Sequence, residues 1–95
     1  MNRSISSVTY ACPDSVRWVK DTDQVILLDE QTGRSHILQG MEAAIWGWLS
    51  LAYSYRRITP LVAALLAQPP AEAEQTLLAT LERWQVVGWL EVRER

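Results

Sequence analysis

The chain has 95 residues, 48% of them hydrophobic and 21% charged, with a formal net charge of -2. This describes one folded domain with a modest core, and the acidic balance argues against a partner held by phosphate neutralisation. A lone cysteine, Cys12, excludes an internal disulfide, and a lone histidine, His36, excludes a two-histidine metal site.

The chain opens Met1-Asn2-Arg3-Ser4 with no apolar run behind it, so no signal peptide is expected. The most apolar stretch, Ile58 to Pro70, is interrupted by Thr, Gln and Pro and is too short to span a bilayer. A cytoplasmic protein without a membrane partner is expected. Residues 1–15 are rich in Ser, Thr, Asn, Pro and Asp and read as a flexible N-terminal arm, with Val8 and Tyr10 available to pin it. The remaining residues, 16–95, read as the domain.

Val16 to Lys20 is β-branched and aromatic, which predicts a strand. A polar turn, Asp21-Thr22-Asp23, leads into Gln24 to Asp29. Its unbroken run Val25-Ile26-Leu27-Leu28 suggests a central strand covered on both faces. Glu30 to Gly33 reads as a hairpin loop in which Gly33 supplies a positive φ. Arg34 to Leu38 then returns as a third strand, giving an antiparallel meander.

After Gly40 the period changes. Met41, Ala44, Ile45, Trp48, Leu49 and Ala52 form a helical stripe, and Glu42 suits the helix N-terminus. Thr59-Pro60 reads as an N-cap followed by Pro at the first position of a second helix, carried by Leu61, Leu65 and Leu66. Pro69-Pro70 stops it. A third helix starts near Ala71, with Leu77, Leu78, Leu81 and Trp84 on its apolar face and Gly88 as its C′ residue. Trp89 to Val92 is a last short strand or an extended tail. The order is α+β, a three-stranded antiparallel sheet followed by three helices, with the layout of a winged helix-turn-helix.

Three kinds of function are conceivable on this frame. Catalysis lacks a nucleophile–base pair: Ser35 neighbours His36 but faces the other side of its strand, and Cys12 lies on the arm. No carboxylate cluster has metal-ligand spacing, and no cofactor motif is present, so no enzyme, metal site or cofactor is expected. DNA binding would use the third helix, which carries Glu72, Glu74 and Glu82 against Arg83 alone, so no nucleic-acid partner is expected. Peptide binding fits the third strand, an edge with neither Pro nor Lys to blunt it. With the third helix beside it, that edge forms a groove for β-strand addition. The bland alternative is that the arm, the C-terminal segment or another copy fills it. Trp46 and Tyr53 lie off the main stripe of the first helix and read either as a partner-docking face or as a second core layer.

The order of the pieces resembles the PqqD-like family of leader-peptide recognition elements. The residues that carry the likeness are "WVKDTDQVILLDEQTGRSHILQGMEAAIWGWL" and "LLATLERWQVVGWLEV", over roughly residues 16–92. The resemblance implies a protein that binds the leader of a ribosomally synthesised precursor peptide along the third strand, against the third helix. By position this maps to Arg34, Ser35, His36, Ile37 and Leu38 on the strand and to the exposed flank of Ala73 to Val87 on the helix, with Leu77, Thr80, Leu81 and Trp84 as its contacts. A free-standing chain of this kind resembles the small protein of lasso-peptide biosynthesis, which hands the precursor to a separate leader peptidase and a modifying enzyme such as a cyclase. The alternatives are a peptide chaperone of another modified-peptide pathway, and a winged-helix DNA-binding regulator.

Overall fold

The computed structural model describes residues 8–94. Strands β1 (Val8–Ala11), β2 (Val16–Asp21), β3 (Gln24–Asp29) and β4 (Arg34–Gln39) precede helices α1 (Gly40–Ser50), α2 (Tyr55–Leu66) and α3 (Pro70–Val86), and β5 (Glu91–Glu94) closes the chain. The three-stranded sheet has the expected order β2-β3-β4, while β1 pairs with β5 in a separate ribbon. The arm reading therefore changes: within residues 1–15, Val8–Ala11 is a strand, and residues 1–7 lie outside the described residues. Its partner is the stretch left open as strand or tail, through pairs such as Tyr10↔Val92.

Register explains the core. Val16, Asp29 and Arg34 lie across one another, as do Trp18, Leu27 and His36 on the next inward row. Because side chains alternate across a strand, this face carries the buried Val16, Val25, Leu27 and Leu38. The other face carries Val19, Ile26 and Ile37 in one cross-strand row. Covering of both faces of β3 was expected, but burial alternates along it and Leu28 is exposed. An apolar run does not reveal how many faces are covered; that depends on the helices, which pack on one side only.

Helix boundaries follow local chemistry. Helix α2 begins a turn earlier than Thr59-Pro60 suggests, because Ser54 is the N-cap and its hydroxyl accepts a hydrogen bond from the Arg57 N–H at 3.2 Å. Tyr55, Ile58 and Val62 then supply the buried stripe, and Leu65 is exposed. Pro60 lies inside the helix, where it has no N–H to give the Arg56 carbonyl. Ser54→Ala is expected to lower unfolding stability by about 1 kcal/mol, measured by urea denaturation. The helix ends on Ala67, held in the left-handed region at φ 51. An L-residue with a Cβ costs about 1 kcal/mol there, so Ala67→Gly should raise the denaturation midpoint.

Helix α1 buries more than the expected stripe, of which Ile45 is fully buried and Met41, Trp48 and Leu49 pack against the core. Ala43, Ile45 and Trp46 are buried, and Ala52 lies beyond the helix in a left-handed turn at φ 63. The helix touches β1, β3, β4 and α2. Elements on several sides broaden its covered face beyond a single stripe.

Candidate functional site

Strand β4 has one sheet neighbour, β3, among the described residues, so its other side is an open edge. Facing that edge are the C-terminal end of α3 and the segment that follows it. The placement is local in origin. Gly88 adopts φ 87, its N–H bonds to the Gln85 carbonyl at 3.1 Å, and the Trp89 N–H bonds to the Trp84 carbonyl at 2.8 Å. This is the Schellman pattern of a helix that ends on glycine. It turns Trp89 back toward β4, where its ring meets that of His36 at 4.6 Å between centroids.

The groove so formed holds two open cavities. One, of about 540 Å³, lies against Leu38, Ile37 and Trp84, with Glu42 and Arg83 at its rim. The other, of about 340 Å³, lies against Arg34, Asp29 and Val87. Glu42 and Arg83 form an ion pair that ties the start of α1 to the end of α3. The Asp29 carboxylate is buried but satisfied, accepting a hydrogen bond from the Gln31 N–H at 3.0 Å. Trp84 is buried with an indole N–H that has no partner among the described residues.

The strand residues of the expected site come together: Arg34, Ser35, His36, Ile37 and Leu38 all line this groove. The helix residues divide. Trp84 lines the groove, whereas Leu77, Thr80 and Leu81 are buried and line neither cavity. Their three- and four-residue spacing is the stripe that packs α3 on the core, and the Thr80 hydroxyl donates to the Thr76 carbonyl at 2.9 Å. A core stripe and a groove face are different faces of one helix. Arg83 and Val87 line the groove from the flank that the likeness implies, and the residues that sequence reasoning missed are Trp89 and Glu42. Gly88 was the available signal, because a C′ glycine reverses the chain and sends the next residue back along the helix.

Trp46 belongs to the core rather than to an exposed face. It is 2% exposed and edge-packed between Trp18 and Trp84, with ring centroids at 6.2 and 5.3 Å. Tyr53 is half-buried, and the Arg57 guanidinium lies 3.8 Å from its ring centroid.

The groove offers main-chain pairing and apolar contact. Cys12 lines a different cavity, beside Trp46 and Leu90. Burial pushes its thiol pKa up, the Glu91 and Asp14 carboxylates add to the shift, and the thiol donates to the Val16 carbonyl at 3.4 Å. A thiolate is therefore disfavoured at neutral pH. No group of three His, Cys, Asp or Glu side chains among the described residues is placed to hold a metal ion. No helix among the described residues is long and apolar enough to cross a membrane.

No protein-family model and no curated protein matches the chain. Among solved structures it is similar to TbiB1 in complex with the TbiA(beta) leader peptide. The two share 25% sequence identity over 84% of this chain and 93% of the other, with a TM-score of 0.77. The three-stranded meander followed by three helices is thus the fold of a protein solved with a leader peptide bound, and it is the fold that the likeness to PqqD-like recognition elements implies.

Proposed function

We propose that the chain binds the leader segment of a ribosomally synthesised precursor peptide as a strand added to β4. The peptide lies against the end of α3 and Trp89. The observation that carries this reading is the open β4 edge beside a partly apolar groove, in a chain that shares its fold with a protein solved in complex with a leader peptide. Main-chain pairing supplies affinity and the groove supplies selectivity. The chain then presents the bound precursor to a separate leader peptidase and a modifying enzyme, such as the cyclase of a lasso-peptide pathway, acting by delivery rather than by chemistry of its own.

Peptides made from the short reading frames beside its gene test this directly. In fluorescence anisotropy, one of them should bind with micromolar or tighter affinity and change little between low and moderate salt. Failure of all of them to bind would overturn the reading. Duplex DNA, by contrast, should show no binding even at low salt, where phosphate contacts are strongest.

A further inference from the structure

The two cavities of the groove share two residues only, His36 and Trp89. These rings are in contact, one from the middle of β4 and the other from the segment after α3. Arg34, His36 and Leu38 form the inward-facing set of the strand, so His36 stands between the two ends. Cavity space lies toward Leu38 on one side of it and toward Arg34 on the other.

We propose that the His36–Trp89 pair is a divider that makes the groove select peptides with a small side chain, Gly, Ala or Ser, midway between two larger ones four residues apart. This rests on the strand-addition reading. A strand rises about 3.3 Å per residue, and only alternate side chains enter the groove. A peptide paired to β4 therefore places one inward side chain at the Leu38 level, the next at the His36 level and the third at the Arg34 level. The spacing holds for either strand direction, because the period of two is common to both. At the middle level the two rings occupy the floor. At the flanking levels there is room, with the greater volume, about 540 Å³ against 340 Å³, at the Leu38 end. The bulkier of the two anchors belongs there, against Leu38 and Trp84. Outward side chains of the peptide lie beside Ile37 and are not constrained in size.

The test is selection of an mRNA-displayed library of random peptides on the immobilised full chain, with Ile37→Pro as the edge-blocked control. Sequences enriched on the wild type but not on Ile37→Pro should show a Gly, Ala or Ser position with larger residues two places to either side. On Trp89→Ala and on His36→Ala that size restriction should disappear. The two variants remove opposite halves of the divider, so one suffices if the other does not fold. In a resynthesised binder, replacing the small residue by Leu should weaken binding to the wild type about tenfold or more, as expected of an overpacked contact. Enriched peptides with no size restriction, or one that persists on both variants, would overturn the divider and leave strand addition standing. No enrichment above Ile37→Pro would instead overturn strand addition, and the divider with it.

Discussion

Ile37→Pro is expected to weaken leader binding by about ten- to a hundredfold while the domain stays folded. Strand β4 offers its main-chain groups alternately, one set to β3 and the other to the open edge. Ile37 is 59% exposed, its side chain lies on the outer sheet face, and no core packing is lost when it is replaced. Proline brings a ring to the edge and removes an N–H from the strand. A lost main-chain bond costs about 1 kcal/mol net, more if its partner is left unsatisfied, and the ring obstructs close approach along the rest of the strand. His36→Pro, one residue away, affects the opposite set. The pair therefore separates a broken edge from a broken sheet: circular dichroism reports the fold and anisotropy the binding. If folded Ile37→Pro binds leader peptide as tightly as the wild type, the peptide does not use β4.

Trp46→Ala is expected to cost about 3–5 kcal/mol of unfolding free energy, as large-to-small changes of buried aromatics do. In a domain of this size that lowers the melting temperature by roughly 15–30 °C. The side chain is 2% exposed and touches Trp18 on the sheet and Trp84 on α3, so it joins the two layers that frame the groove. Five Trp and no Phe in 95 residues acquire a structural meaning here, since three of them form one edge-packed column. Domains are stable by only about 5–15 kcal/mol, so the variant retains little margin, and its groove wall at Trp84 loosens as well. A surface docking residue would change stability by less than about 0.5 kcal/mol. Tyr53→Ala is the contrast: it loses the packing of a half-buried ring at the edge of the core and a cation–π contact with Arg57 worth about 0.5–1 kcal/mol, a smaller total than a fully buried indole. Differential scanning calorimetry of the two variants distinguishes a core aromatic from a half-buried one.

The acidic charge of α3 has a second consequence. Arg83, its one basic residue, is held by Glu42 at the groove rim. An exposed ion pair contributes little stability, but this one spans α1 and α3 beside the cavity at Leu38. It fixes the rim against which the bulkier anchor of a peptide would lie.

Much of the fold was legible in the residues alone. The three strands, their hairpins, the change of period after Gly40 and the Gly88 stop are signals of short range, and each is carried by a dihedral or a spacing that one residue imposes. The edge strand could be read too, because a meander of three has two edges by construction. The sequence determined that β4 would be an edge joined directly to a helix, but not that it would stay open: the arm and the C-terminal segment could each have covered it, and they pair with each other instead. It did not determine which face of each helix would look inward. Leu77, Thr80 and Leu81 could be placed on α3 but not assigned to core or groove, and Trp46 could be read either way. Those choices depend on the rotation of each helix about its own axis, which is fixed by every element it touches. The same holds for the wall of the groove. Gly88 reverses the chain by local geometry, yet only the packing of α3 on the sheet brings Trp89 against His36. A helical period states which residues share a face; the tertiary structure decides what that face meets.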